Sequence, residues 1–186
     1  MKIINTPLKD CFIIEPRVFK DSRGFFYESF NKDKFKQETG IATDFIQDNV
    51  AFSTQNVIRG LHFQEGKFAQ AKLVSCIKGR IIDVAVDIRT DSPTFGQSFT
   101  IELSSENNLQ LYVPRGFAHG YSVLSKEAYF QYKVDNIYAP QSERGIIYND
   151  PTLNINWSVE KPVLSDKDLI LPSFKEYFLG SETGSK

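Results

Sequence analysis

The stretch RIIDVAVDIR, residues 80–89, decides the fold class, because apolar side chains recur in it at every second position. A β-strand points successive side chains to opposite faces. One predicted face carries Ile82, Val84, Val86 and Ile88, and the other carries Ile81, Asp83, Ala85 and Asp87. We therefore predict a strand here, joined through a turn at Lys78-Gly79 to a preceding strand over KLVSCI, residues 72–77.

Turn residues separate further short apolar runs at intervals of roughly 8 to 12 residues, which is typical of a β-sandwich or barrel. After the SPTFG turn (92–96) these runs are QSFTIELS (97–104), NLQLYVP (108–114), GYSVLS (120–125) and AYFQYKVDN (128–136). Helices are predicted only over NKDKFKQETG (31–40) and in a short segment near 165–179. The prediction is a mainly β fold in a single domain, 1–186, with a frayed tail over about 180–186.

Composition limits the classes of partner. The 186 residues include 22 basic and 23 acidic side chains, a formal charge of −1, and the pI is about 6.1. This balance gives no general attraction to nucleic acid or to an anionic membrane, so an anionic ligand would have to be held by a few well-placed Arg and Lys side chains. No apolar run has the length of a membrane span or of a signal peptide. We expect neither nucleic acid nor a membrane among the partners.

The two cysteines, Cys11 and Cys76, are far apart in the sequence and form no CxxC pair. They fit either a reduced cytoplasmic protein or one long-range disulfide, and the first interpretation is favoured. The expected location is therefore the cytoplasm.

The only two histidines lie in similar surroundings, VIRGLHFQ (57–64) and VPRGFAHGY (113–121). In a strand over the first stretch, alternation places His62 on one face and Arg59 on the other, unless Gly60 introduces a β-bulge that re-aims them. The interior or mouth of a small barrel is a usual place for a ligand. A histidine among apolar residues can equally be a structural core residue.

The AYFQYKVDN strand places Tyr132 on the same face as Phe130 and Val134. A tyrosine hydroxyl on an apolar inward face needs a hydrogen-bond partner or a use. Ordinary barrel packing is the alternative for Tyr132, as an exposed surface charge is for Lys72.

A metal centre is a further possibility, because Pro114, Gly116 and His119 match the PxGxxH half-motif of metal-binding cupins. Those proteins usually supply a second half with HxH and a downstream Glu. Here HFQ (62–64) takes that place with a single histidine, and two imidazoles do not make a three-histidine site. No metal is expected.

Together these motifs resemble one family. The chain is similar to the dTDP-4-dehydrorhamnose 3,5-epimerases from about residue 3 to 172, with the motifs in the expected order. The segments that carry the resemblance are DSRGFFYESF (21–30), QDN (47–49), RGLHFQ (59–64), QAKLVSCIKGRIIDVAVDIRTDSPTFG (70–96), VPRGFAHGY (113–121), QYKVDNIYAP (131–140) and LSDKD (164–168). The resemblance implies a double-stranded β-helix, a cupin-type jelly roll, that forms a homodimer.

The resemblance also implies the reaction, epimerisation at C3 and C5 of dTDP-4-dehydro-6-deoxy-D-glucose to dTDP-4-dehydro-L-rhamnose. Both hydrogens flank the C4 carbonyl, so removal of either gives an enolate, which needs a base, an opposed acid and a positive group at the enolate oxygen. By the family pattern His62 is the base and Asp168 its partner. Tyr132 is then the acid, and Lys72 faces the developing charge on O4. No cofactor is expected, because no hydride moves and no GxGxxG loop is present.

The family pattern further implies the residues that hold the dTDP-sugar. Arg59 and Arg23 match diphosphate contacts, and Tyr138 matches a position that stacks on thymine. The other matching substrate contacts are Phe19, Phe26, Glu28, Gln47, Asn49, His119, Glu143 and Lys167. The N-terminal segment, about 1–30, is expected to reach into the neighbouring subunit's site.

Two alternatives remain open, a monofunctional epimerase that acts only at C3 or only at C5, and a non-catalytic cupin that binds nucleotide sugars. The second would not need both a base and an opposed acid. The presence of His62 and Tyr132 therefore favours an enzyme.

Overall fold

Strands dominate the described part of the chain, which is residues 1–178 and 180 of the computed structural model. Apart from Gly180, the predicted tail lies outside the described residues. The strands are β1 Lys2–Asn5, β2 Phe12–Glu15, β3 Val18–Asp21, β4 Gly24–Tyr27, β5 Gln47–Thr54, β6 Ile58–Gln64, β7 Lys72–Lys78, β8 Arg80–Asp87, β9 Ser98–Ser104, β10 Gln110–Val113, β11 Phe117–Val123, β12 Glu127–Val134 and β13 Glu143–Gly145. The α-helices are α1 Lys32–Thr39, α2 Asp166–Leu169 and α3 Phe174–Phe178.

Two antiparallel sheets face each other as a β-sandwich. The six-stranded sheet has the order β1-β2-β10-β7-β12-β5, and the five-stranded sheet has the order β13-β6-β11-β8-β9. From β5 to β13 the chain crosses between the sheets at almost every connection, which is the jelly-roll arrangement. The predicted mainly β, cupin-type fold is confirmed.

Apolar side chains from both sheets fill the space between them. Phe130 of the six-stranded sheet packs there in one cluster with Ile81 and Ala85 of β8. Val84 and Val86 point the other way, into a second cluster formed with the segment that follows β13. Strand β8 is therefore buried on both faces, and the alternation predicted for RIIDVAVDIR is confirmed.

The predicted helix over 31–40 is confirmed as α1, and both of its ends have a local cause. The Asn31 side chain accepts a hydrogen bond from the Lys34 amide, and Gly40 ends the helix in the left-handed region at a φ of 73°. Phe35 is the buried residue of α1, and it packs on the outer face of the six-stranded sheet.

The helix predicted near 165–179 is two short helices, α2 and α3. The Ser165 side chain caps α2 by accepting a hydrogen bond from the Asp168 amide. Pro172 lies between the helices and has no amide hydrogen to donate, which explains why they do not join.

Strands β3 and β4 form a separate two-stranded sheet. Three phenylalanines of this hairpin are strongly exposed, with 51% of Phe19, 56% of Phe25 and 69% of Phe26 accessible. The hairpin therefore presents apolar surface that the described residues do not cover.

Both cysteines are free and buried, so the long-range disulfide left open by the sequence is not formed. Burial raises the pKa of the Cys11 thiol to about 12 and that of the Cys76 thiol to about 11. No helix in residues 1–178 is long and apolar enough to cross a membrane.

Candidate active site

A cavity of about 280 Å³ opens between the two sheets and brings together all four residues predicted for catalysis. Its lining residues are Ala51, Arg59, His62, Lys72, His119, Tyr121, Phe130, Tyr132, Ser165, Lys167 and Asp168. Side chains from β5, β6, β7, β11, β12 and α2 thus meet in one place although they are distant in the sequence.

A β-bulge in β6 places Arg59 and His62 on the same side of the sheet. Against β11, His62 pairs with His119 and Arg59 pairs with Tyr121, so three steps along β6 match two along β11. The extra residue reverses the alternation that would otherwise separate the two side chains. Of the two arrangements that the sequence left open, the bulge is the one that forms.

Only glycine fits at the bulge. Gly60 has a φ of 129°, and a Cβ there would lie 2.6 Å from the Cα of Gly120. A Cβ on Gly120 would in turn lie 2.7 Å from the carbonyl oxygen of Arg59. The bulge therefore depends on close backbone contact between β6 and β11.

His62 is paired with a carboxylate from the other end of the chain. Its Nε2 lies 2.6 Å from Oδ1 of Asp168, which α2 holds against β6. Asp168 is buried, which by itself raises its pKa, but the hydrogen bonds from His62 and Ser165 outweigh this and hold the pKa below its ordinary value. The carboxylate is ionised at neutral pH, so it can fix the ring and stabilise an imidazolium. This leaves Nδ1 as the nitrogen that can take a proton from a ligand.

Tyr132 and Lys72 reach the cavity from the opposite sheet. Tyr132 is on β12, on the same inward face as Phe130, as the sequence predicted. Burial raises the pKa of its hydroxyl, although Arg59 counteracts this, so the hydroxyl is protonated at neutral pH. Burial lowers the pKa of the Lys72 ammonium to about 8, while the charges of Asp83 and Glu143 raise it.

His119 forms a second histidine–aspartate pair, with Asp83 of β8. Its Nε2 lies 3.0 Å from each carboxylate oxygen, and both side chains are almost completely buried. Burial lowers the pKa of His119 and outweighs the opposite effect of Asp83, so the imidazole is neutral at neutral pH. The predicted site residue His119 therefore lies in the wall of the cavity, with its second ring nitrogen as the group available to a ligand.

Arg59 is held at the cavity by its neighbours on β5. Its Nε donates to the Ser53 hydroxyl at 3.0 Å, and an Nη donates to the Phe52 carbonyl oxygen at 3.3 Å. Tyr121 also hydrogen-bonds Ser53, at 3.1 Å. The remaining guanidinium hydrogens are available to an anion.

Three predicted substrate contacts are joined by hydrogen bonds at the rim of the cavity. Lys167 Nζ lies 2.7 Å from Oε2 of Glu143, and the Tyr138 hydroxyl donates to the same oxygen at 2.7 Å. Burial raises the pKa of Glu143, but these two hydrogen bonds outweigh it and keep the pKa below its ordinary value. Lys167 is next to Asp168 on α2, so these hydrogen bonds also tie α2 to β13.

Gln47 and Asn49 lie on β5 beside β12, where Asn49 pairs with Tyr132 across the sheet. The Gln47 amide donates to the Asn49 side-chain oxygen at 2.8 Å. These two predicted contacts are adjacent to the cavity but do not line it.

The N-terminal candidates are elsewhere within one chain. Phe19, Arg23 and Phe26 lie on or between β3 and β4, where Arg23 pairs with Asp21. Glu28 pairs with Lys34 at 2.8 Å. None of the four lines the cavity of its own chain.

Among the polar residues in or behind the cavity wall, sequence reasoning missed Asp83, Tyr121, Ser53 and Ser165. Asp83 had a readable signal, because a carboxylate between Ile81 and Ala85 on one face of an apolar strand requires a partner when buried. Tyr121 and Ser53 had no comparable signal.

The donor set of the cavity does not form a recognisable metal centre. In residues 1–178 no group of three or more His, Cys, Asp or Glu side chains is arranged to hold a metal ion. Each imidazole is instead hydrogen-bonded to one carboxylate.

The protein is thus a cupin-type jelly roll whose cavity holds a histidine–aspartate pair on one sheet and a tyrosine and a lysine on the facing sheet, side chains that are suited to acid–base chemistry. The family model described as dTDP-4-dehydrorhamnose 3,5-epimerase matches residues 5–176. The chain belongs to this family and is an isomerase.

Individual relatives agree with the family. The chain is 50% identical over 181 residues to a dTDP-4-dehydrorhamnose 3,5-epimerase from Shigella flexneri, covering 96% of this chain and all of that one. It is 55% identical to the crystal structure of the enzyme from Elizabethkingia anophelis, with 95% and 97% coverage and a TM-score of 0.91. A structure from Legionella pneumophila in complex with dTDP-4-keto-L-rhamnose is 48% identical, with 92% of each chain covered and a TM-score of 0.89.

Proposed function

We propose that this chain epimerises C3 and C5 of dTDP-4-dehydro-6-deoxy-D-glucose, giving dTDP-4-dehydro-L-rhamnose in dTDP-L-rhamnose biosynthesis. One observation carries the proposal: His62, paired with Asp168 at 2.6 Å, and Tyr132 enter one cavity from facing sheets. A ring bound between the sheets has one face toward a base and the other toward an acid. Inversion at a carbon requires this arrangement, because the proton must leave from one face and return to the other.

The base half of the reaction belongs to His62. Its Nδ1 takes the hydrogen next to the C4 carbonyl as a proton, and the electron pair of the C–H bond moves to the carbonyl oxygen, giving an enolate. Asp168 stabilises the imidazolium that results and keeps the ring in one orientation.

The acid half belongs to Tyr132, whose raised pKa keeps the hydroxyl protonated until the enolate forms. The hydroxyl then protonates the same carbon from the opposite face, and the carbonyl re-forms. Proton exchange with solvent returns the tyrosine and the histidine to their starting states. Lys72, as an ammonium, stabilises the negative charge on O4 between the two steps.

Positive groups around the cavity suit the diphosphate. Arg59 lines the cavity and Lys167 lies at its rim, and a guanidinium can bind two phosphate oxygens at once. Tyr138, exposed beside them, would stack on thymine.

Proton NMR of dTDP-4-dehydro-6-deoxy-D-glucose in D2O tests the function. We expect deuterium to enter both C3 and C5 and both centres to invert. Exchange and inversion at one carbon alone would make the chain a monofunctional epimerase. Binding without exchange at either carbon would make it a non-catalytic nucleotide-sugar-binding cupin.

We further infer a homodimer in which the β3–β4 hairpin completes the partner's cavity. The hairpin exposes Phe19, Phe25 and Phe26, and β5, at the edge of the six-stranded sheet, exposes Val50 and Phe52. Apolar surface of this kind marks an interaction site. An exchange would carry Arg23 to the partner's site, and the single domain 1–186 would then be active only in pairs.

Mixing two inactive variants tests the exchange. His62→Asn lacks the base but has an intact hairpin, and Arg23→Ala has the reverse. If the hairpin serves the partner's cavity, half of all dimers in an equimolar mixture contain one subunit of each variant. Each of these dimers has one complete site of two, so about a quarter of the parent activity returns. No recovery after verified subunit mixing, or full activity of a monomer, would contradict the exchange.

The cytoplasmic location also remains our inference. Its support is chemical, since Cys11 and Cys76 are both free thiols.

A further inference from the structure

Tyr121 is a polar side chain of the cavity wall that has no part in the proposed reaction. It is almost completely buried, and its ring stacks on Phe130 with the two ring centroids 4.3 Å apart. In the described part of the chain, Ser53 is the only group that hydrogen-bonds the Tyr121 hydroxyl, at 3.1 Å. The stacking and this hydrogen bond hold the hydroxyl in one place.

The groups around Ser53 fix the direction of that hydrogen bond. Nε of Arg59 lies 3.0 Å from the Ser53 oxygen and can only donate, so Ser53 accepts there. Ser53 is itself buried, so its single hydrogen needs an acceptor, and the Tyr121 oxygen is the one that residues 1–178 offer. If Tyr121 donated to Ser53 instead, the Ser53 hydrogen would be buried without a partner, which is costly. Ser53 is therefore the donor.

The hydrogen of the Tyr121 hydroxyl is then left for a ligand. Tyr121 lines the cavity, whereas Ser53 lies behind it. Burial raises the pKa of the Tyr121 hydroxyl, and the hydrogen bond of Ser53 and the charge of Arg59 only partly oppose this. The hydroxyl is protonated at neutral pH, so it can donate into the cavity.

Arg59 indicates which ligand atom accepts that hydrogen. Arg59 and Tyr121 are opposite each other on β6 and β11, and both contact Ser53, so the guanidinium and the hydroxyl lie side by side. Hydrogen bonds to ionised groups are roughly twice as strong as those between neutral groups. A hydroxyl donor beside a guanidinium therefore suits an anionic oxygen that both groups contact.

We propose that Tyr121 is a further substrate-binding residue, whose hydroxyl donates a hydrogen bond to an oxygen of the diphosphate that Arg59 holds. This inference rests on the part of the proposed function in which a dTDP-sugar occupies the cavity. Ser53 serves both residues, because it accepts from Arg59 and donates to Tyr121 and so keeps the Tyr121 hydrogen free for the ligand.

The chain offers a matched control in Tyr112. It is 4% accessible, as Tyr121 is, and its ring stacks on Phe12 with the centroids 4.8 Å apart. Tyr112 is on β10 and does not line the cavity. Tyr112→Phe therefore reports what the loss of a buried tyrosine hydroxyl does at a distance from the ligand.

The first experiment is calorimetric titration of the parent, Tyr121→Phe and Tyr112→Phe with dTDP. We expect Tyr121→Phe to raise the Kd of dTDP by about tenfold or more, the effect of one hydrogen bond to a charged group. Tyr112→Phe should leave the Kd unchanged. Parent-like dTDP affinity in a folded Tyr121→Phe protein would overturn the proposal. A loss seen with the dTDP-sugar and not with dTDP would place the contact on the sugar and would overturn it too.

A double-mutant cycle separates a direct contact from an effect that passes through Ser53. If Tyr121 acted only by holding Ser53 against Arg59, Tyr121→Phe would have no further effect in a Ser53→Ala protein. We expect the double variant to bind dTDP about tenfold more weakly than Ser53→Ala alone. Equal affinities of the double variant and Ser53→Ala would overturn the proposal.

A crystal structure of the parent with dTDP bound depends on no variant. It should place the Tyr121 oxygen within about 3.0 Å of a phosphate oxygen, and a separation above about 3.5 Å would overturn the proposal even if Tyr121→Phe failed to fold. The deuterium-exchange experiment tests the reaction separately. A parent that binds dTDP through Tyr121 but exchanges neither C3 nor C5 would refute the proposed epimerisation and support this inference.

Discussion

The two histidine–aspartate pairs lie next to each other, with their histidines on β6 and β11. In each pair Nε2 of the histidine contacts the carboxylate, yet the surroundings of the two pairs differ. His62 keeps 30% of its side chain accessible, and its partner Asp168 comes from α2. His119 keeps only 5%, and its partner Asp83 comes from the adjacent strand of the same sheet.

The difference teaches that burial, rather than residue type, distinguishes the roles that we propose for the two histidines. A ring that is open to the cavity can take up a proton and be stabilised by its carboxylate, which suits a general base. A ring that is almost completely buried in the wall is strongly destabilised by desolvation when it is charged, so it stays neutral and acts as a fixed polar group. The structure therefore favours His62, and not His119, as the base.

The largest expected effect separates the two histidines directly. His62→Asn should lower both deuterium exchange and inversion by at least about a hundredfold, the lower end of what a general base contributes. His119→Asn removes only a polar contact, so we expect a loss of about tenfold. Proton NMR of the substrate in D2O measures both quantities. The comparison would be reversed if His62→Asn exchanged at the parent rate while His119→Asn did not.

The next effect concerns the proposed acid, Tyr132, because a neutral His119 that is hydrogen-bonded to Asp83 cannot replace it as the proton donor. Tyr132→Phe keeps the ring that packs on Phe130 and removes only the hydroxyl. His62 should still remove a proton and return deuterium to the same face, so exchange should exceed inversion by about tenfold or more. Equal rates of exchange and inversion, at the parent level, would show that another residue is the acid.

The smallest expected effect is that of removing metal ions. If the two imidazoles bound one metal ion, the metal, and not the paired aspartates, would determine what each histidine does. Because the described donor set contains no cluster of three ligands, we expect activity to be unchanged after exhaustive dialysis against EDTA. If activity were lost and only an added metal ion restored it, the comparison of the two histidine–aspartate pairs would no longer apply.

Much of this arrangement could be predicted from local pattern. Alternation in RIIDVAVDIR and AYFQYKVDN gives the correct faces of β8 and β12, and therefore the inward position of Tyr132. The helix over 31–40 could be predicted because its closing glycine is local.

The rest depends on contacts that one segment does not contain. Alternation alone puts Arg59 and His62 on opposite faces, and only the contact of β6 with β11 selects the bulge. The hydrogen-bond partner of Asp83 is equally distant in the sequence, because His119 is 36 residues away. The position of Arg23 relative to the cavity could not be predicted from local pattern either. In the structure, the hairpin that carries Arg23 does not line the cavity of its own chain.

The contact between Gly60 and Gly120 also restricts how the sequence can evolve. A methyl group at either position meets backbone of the other strand, at 2.6 Å or 2.7 Å, and no side chain is present on the other glycine to be trimmed in compensation. A mutation at one glycine therefore cannot be rescued by a second mutation at the other. Gly60 and Gly120, one in each histidine motif, are therefore constrained together. Changes of specificity in this fold are expected at positions other than these two glycines.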